Sequence, residues 1–137
     1  MTVAEVVYSL EPNLSVEDFR AVLVASTLGE RRPIEDAARL QQMLTAADVI
    51  VTARVDGRIV GVSRALTDFS FATYLSDLAV DRDAQGRGIG RELIQRTHQA
   101  AGLHTMLVLV AAPGARTYYP HIGLEPHDSC WTIPRNA

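Results

Sequence analysis

Residues 74–101 read YLSDLAV-DRDAQGRGIG-RELIQRTHQAA, and the fold turns on this stretch. An apolar strand runs into a loop with glycine at 86, 88 and 90. The loop opens directly into an amphipathic helix, in which Ile89, Leu93, Thr97 and Ala100 share one face. Successive backbone N–H groups at a helix N-terminus form a concave anion site. Glycine lets such a backbone take positive φ and approach a phosphate without a Cβ in the way. Arg87 and Arg91 add side-chain cations beside those amides. The expectation from physics alone is a phosphate or diphosphate cradle. It is not the usual ATP loop, which needs Lys and then Ser or Thr after the last glycine, where this chain has Arg91 and Glu92. The Gly-Arg-Gly-Ile-Gly spacing also departs from the dinucleotide fingerprint.

Outward from the loop, the segment 49–80 reads as an antiparallel meander. A β-branched strand over 49–55 meets Asp56-Gly57, a strong hairpin signal, and returns over 58–66. A turn at 67–70 leads into the strand 71–80. Beyond the helix, which Gly102 ends, residues 105–111 form a near-continuous apolar run, as expected of a strand buried on both faces. Connected to 71–80 through a helix, it should lie parallel to that strand with a right-handed crossover. Toward the N-terminus, residues 3–10 read as a first strand. Ser15 looks like the N-cap of a helix with Glu17 and Asp18 in its first turn, stopped by Gly29. Pro33 fits the first turn of a second helix, with Ala37, Leu40, Met43, Leu44 and Ala47 on its buried side. The polar Glu30-Arg31-Arg32 between them is expected to be a solvated turn. Pro113 starts a last short helix carrying Ala115, Tyr118 and Tyr119, and residues 131–134 read as a closing edge strand. The order β-α-α-β-β-β-α-β-α-β gives an α/β fold with a mixed sheet flanked by helices.

The 137 residues favour one domain, 1–137, with one core. A hydrophobic content of 47% argues against disorder. The net charge of -3 gives no electrostatic reason to expect nucleic acid as a partner. No apolar run approaches the roughly 20 residues that span a bilayer, so no membrane partner is expected. No secretion signal is visible, and the single Cys130 has no internal partner, which makes a reducing cytoplasm the simplest compartment. His104, His121, His127 and Cys130 lack zinc-site spacing, so no metal is expected.

The segment Gln85-Gly86-Arg87-Gly88-Ile89-Gly90 resembles the acyl-coenzyme A loop of the GNAT superfamily of N-acyltransferases, whose pattern is Gln/Arg-x-x-Gly-x-Gly/Ala. The downstream ARTYYPHIGLEP resembles that family's Ala-x-x-Phe-Tyr-x-x-x-Gly-Phe pattern, with Ala115, Tyr118, Tyr119, Gly123 and Leu124 at the matching places. The resemblance covers about 49–124. It implies a mostly antiparallel central sheet with two splayed parallel strands and about four helices. It further implies that acetyl-CoA is the co-substrate, its diphosphate on backbone groups from Gln85 to Arg91 and its pantetheine arm in the gap between 71–80 and 105–111. Leu78, Ala79 and Val80 would bind that arm like an added strand, with an N–H near Leu78 polarising the thioester. Tyr119 falls where the family usually has its general acid, and Tyr118, in place of the usual Phe, is expected in the core. The general base is less defined. Asp77 is the one carboxylate in 71–80, and simple alternation puts it on the face of Leu75 and Ala79 unless a bulge re-aims it. The other reading of Asp77 is a satisfied polar residue at the strand end. An Asn common before the tyrosine motif is absent, its place taken by about Ala112.

The resemblance thus implies an N-acetyltransferase moving an acetyl group to a primary amine of a small molecule by direct attack. A CoA-binding regulatory domain without turnover is the rival, and an enzyme acting on protein amines a third option. Relatives commonly pair edge strands, which leaves a homodimer open.

Overall fold

The computed structural model describes residues 4–136, so Val3, the expected start of the first strand, lies outside it. The chain runs β1 (Val6–Leu10), α1 (Val16–Ser26), a 3-10 turn (Leu28–Arg31), α2 (Ala37–Ala46), β2 (Val49–Val55), β3 (Arg58–Thr67) and β4 (Ala72–Val80). It continues through a short 3-10 turn (Arg82–Ala84), α3 (Ile89–Ala101), β5 (Met106–Leu109), another 3-10 turn (Pro113–Ala115) and α4 (Tyr118–His121). The sheet has the order β1-β2-β3-β4-β5. All neighbours are antiparallel except the parallel pair β4 and β5.

The sheet separates two cores. On one face α3 covers Val51, Ala53 and Val60 with Ile89 and Leu93; on the other, α1 and α2 bring Phe19, Leu23, Leu40 and Leu44 onto Ile50, Ile59 and Val62. Gly61 allows the close approach of α3, since a Cβ there would stand 3.0 Å from Leu93 Cδ1 and 3.1 Å from Ile89 Cγ2.

Several boundaries differ from expectation. Ser15 does cap α1, its hydroxyl accepting from the Asp18 N–H at 3.1 Å. The helix stops at Thr27, in a left-handed conformation with φ 74°, rather than at Gly29. The second helix starts later than Pro33 suggests, because the Asp36 side chain caps it by accepting from the Arg39 N–H at 3.0 Å. Residues 131–134 form no strand, and Trp131 and Ile133 are exposed. Among the described residues no strand pairs with the outer edge of β5. That strand is therefore not buried on both faces: Leu107 and Leu109 pack on the core under α3, while Met106 is exposed.

β4 carries a bulge. Arg64 faces Asp77 and the next residue, Ala65, faces Leu75, so Ser76 is the extra residue. The bulge reverses the side-chain alternation. Leu75 belongs to the core under α3, whereas Ala79 belongs to the core under α1 and α2.

At the far edge of the sheet an ion cluster ties β1, β2 and α1 together. Arg54 donates to Glu11 at 2.8 and 2.9 Å and to Asp18 at 2.9 Å, and Thr52 also donates to Glu11. The hydrogen bond from Arg54 holds the Glu11 carboxyl below its ordinary value of 4.5. A depressed folded-state value stabilises above the unfolded value, and the contribution is lost as pH falls through the folded one. Glu11→Gln is therefore expected to flatten the acid limb of a Tm-against-pH curve below about pH 5.

Candidate active site

The parallel pairing of β4 and β5 ends at Leu75 and Leu109, and β4 continues to Val80 paired with β3 but not with β5. The gap is a small, solvent-open cleft of about 50 Å³. Its walls are Leu75, Ser76 and Leu78 from β4, and Leu109, Val110 and Ala112 from β5 and the segment after it. Tyr119 closes one side and Leu28 and Arg32, from the segment between α1 and α2, close the other. Tyr119 is half-buried and packs on the core under α3. Burial pushes its phenol above the ordinary value of 10, and the adjacent Tyr118 adds to the rise. The two rings meet edge-on, 5.2 Å between centroids.

The glycine loop follows directly from β4. Asp81 anchors its start: its N–H donates to Val60 O at 2.8 Å, and its carboxylate accepts from the Asp83 N–H at 2.9 Å and from Arg58 at 3.1 Å. Gln85 donates to Val80 O at 3.2 Å. Gly86 and Gly88 hold φ of 82° and 77°, the left-handed region that favours glycine, with open space where a Cβ would be. Gly88 is the N-cap of α3 and offers no side-chain cap. The first intrahelical bond runs from the Glu92 N–H to Gly88 O at 3.1 Å, so the amides of Ile89, Gly90 and Arg91 lie outside the helical ladder.

Side chains in this stretch have mixed fates. Ala79 and Ile89 are core residues, so any contact they make with a ligand is through the backbone. Leu78 lines the cleft and Val80 packs toward α3. Arg91 is exposed, and Arg87 donates to Ala4 O at 2.9 Å. Gly90 is buried, because the Tyr118 ring lies over it. Tyr118 is thus not a core residue but a half-buried one seated on the first turn of α3.

Asp77 does not share a face with Leu75, since the bulge at Ser76 turns it to the opposite side. Its side chain is fully buried, and its two oxygens are held by the Nε groups of Arg32 and Arg64. Arg32 also donates to Ser76 O at 2.8 Å, and Arg64 to Ser76 Oγ at 2.9 Å and Met43 O at 3.2 Å. Held in this way, with each oxygen on a guanidinium, the carboxylate does not line the cleft. Arg32 is accordingly not a solvated turn residue: it locks the α1–α2 segment onto the bulge and forms part of the cleft wall. His104 contacts Phe69 O at 2.9 Å by the β3–β4 turn, and His127 accepts from the Ser129 N–H at 3.1 Å in the C-terminal segment; neither lines the cleft.

Comparison with known proteins agrees with this geometry. The acetyltransferase (GNAT) domain family matches residues 24–130. The chain belongs to the acetyltransferase (GNAT) domain family. It is 38% identical over 99 residues to a tRNA-acetylating toxin of Mycobacterium tuberculosis (strain ATCC 25618 / H37Rv), a match covering 55% of this chain and 59% of the toxin. A GNAT-family acetyltransferase from Streptococcus pneumoniae TIGR4 superimposes with a TM-score of 0.74 at 20% identity, covering 96% of this chain and 98% of the other. An aminoglycoside N-acetyltransferase solved in complex with CoA gives a TM-score of 0.74 at 16% identity, covering 99% and 98%. At these identities the two structures share the fold. No helix among the described residues is long and apolar enough to cross a membrane.

Proposed function

We propose that this chain moves an acetyl group from acetyl-CoA to a primary amine by direct attack on the thioester. One observation carries the reading: open amides at the N-terminus of α3 and a phenol in the β4–β5 cleft stand at the two ends of one short path along β4. The residues fit acetyl-CoA. The amides from Gln85 to Arg91 would hold the diphosphate, and the unpaired edge of β4 at Leu78 to Val80 would take the pantetheine arm as an added strand. The cofactor supplies an activated acyl group on a thiol leaving group. Burial holds the Tyr119 phenol above its ordinary value of 10, so it keeps its proton at neutral pH and can protonate the departing thiolate. Asp77 is assigned to positioning, because both its oxygens are engaged. No carboxylate or histidine among the described residues lines the cleft, so the amine loses its proton to water before attack. Incubating the protein with acetyl-CoA and a broad panel of small amines should release free thiol. CoA binding without release on any acceptor would favour a regulatory CoA-binding domain.

A second acceptor class has a specific observation behind it, the 38% identity to a tRNA-acetylating toxin. There the amine would be carried on an RNA. All 13 basic residues of this chain are arginine, whose planar fork suits phosphate. The net charge of -3 opposes this class. Salt separates the two: transfer to tRNA should fall steeply between 50 and 200 mM salt, on the order of tenfold per few phosphate contacts, and transfer to a small amine should not. The free outer edge of β5 supports a homodimer, which light scattering at two protein concentrations would decide.

A further inference from the structure

The Tyr118 ring crosses the first turn of α3. A Cβ added at Gly90 would collide with its hydroxyl oxygen and stand 3.2 Å from Cζ. Burial raises this phenol above its ordinary value of 10, and the Arg91 backbone N–H beside it offsets part of the rise. Tyr118 also opens α4, where its own carbonyl accepts from the Ile122 N–H at 3.2 Å, and it stacks edge-on against Tyr119. A four-residue helix has little stability of its own, so what fixes its orientation must come from outside it. A phenylalanine would fill the same space but would take the oxygen away from its place against Gly90.

We infer that Tyr118 is a positioning residue: its phenol pins the turn that carries Tyr119 to the glycine loop, and so sets the acid's distance from the thioester. This rests on the acetyl-transfer reading above. The two ends of the cofactor are thereby held in one frame, the diphosphate end by α3 and the sulfur end by α4. Gly90 is required for the same reason, as any side chain there displaces the phenol.

The test is a double-mutant cycle on Tyr118→Phe and Tyr119→Phe, read as kcat and KM for acetyl-CoA, with CoA binding by calorimetry and Tm alongside. A displaced acid costs rate steeply, so Tyr118→Phe is expected to lower kcat about tenfold. CoA affinity should move less than about twofold, because diphosphate donors remain. In the Tyr119→Phe background the same substitution should cost less than about twofold, since two residues acting through one step are not additive. A purely structural tyrosine would give the same factor in both backgrounds, and that result, or an unchanged kcat for Tyr118→Phe alone, overturns the inference. The readings beneath it fail differently: no thiol release on any acceptor would sink acetyl transfer, and a silent Tyr119→Phe would sink the acid assignment. Gly90→Ala provides a readout without turnover. It should lower Tm more in the native background than in Tyr118→Phe, where the nearest ring atom has moved out to Cζ; an equal loss in both counts against the contact.

Discussion

Tyr119→Phe is expected to lower kcat about a hundredfold or more, with KM for acetyl-CoA within about twofold of the native value. The substitution removes one oxygen and keeps the ring that packs on the core under α3, so the fold and the cleft wall survive. What is lost is the proton for the leaving thiolate. The proposed diphosphate contacts lie on the loop and not on α4, so cofactor affinity has little reason to change. Steady-state kinetics by free-thiol detection, with Tm as a control for folding, check it. Native kcat in the variant would remove the acid assignment.

The same assignment fixes a pH profile. Burial raises the Tyr119 phenol above 10, so its donor form persists to higher pH than that of a free tyrosine. Rate should climb as the amine loses its proton and turn down only beyond about pH 10. The descending limb should be missing in Tyr119→Phe, whose rate has no proton left to lose.

The loop and its helix were legible because their signals are local. Positive φ at Gly86 and Gly88, and the apolar face at Ile89, Leu93 and Thr97, each depend on a few neighbouring residues. Even there the last position shifts: Ala101 is buried and Ala100 is exposed. The strand expected over 131–134 shows the limit. Trp131 and Ile133 alternate as a strand should, but a strand exists through its partner, and local pattern supplies none. The bulge shows it again. Thr67 faces Thr73, so an unbroken register across that turn would set Arg64 opposite Ser76. One inserted residue brings Asp77 there instead and swings it to the other face. A lone arginine at 64 and a lone carboxylate at 77, each inside an apolar strand of one hairpin, was a signal that these two would pair. Arg32 gave no such signal, because 45 residues separate it from Asp77. Tyr118 was misplaced for a related reason: its partner, Gly90, is marked by what it lacks.

Asp77→Ala is expected to be the most destabilising single change in the region, by about 3–5 kcal/mol. The Arg64 side chain is only 7% exposed and Arg32 22% exposed, and both lose the one anion that neutralises them. Arg64 sits beneath α2, bonded to Met43 O, and cannot swing to solvent without unpacking that helix. For a chain of this length such a loss lowers Tm by roughly 10–20 °C. Asp77→Asn separates structure from chemistry, since an amide keeps the shape and one acceptor oxygen but cannot act as a base. Measured well below its own Tm, that variant should keep kcat within about fivefold and show its main change as a raised KM for the amine, because Arg32 is the link from Asp77 to the cleft wall. A loss of a hundredfold or more in kcat from a folded Asp77→Asn protein would instead return the carboxylate to proton transfer, with one guanidinium letting go as the acceptor arrives.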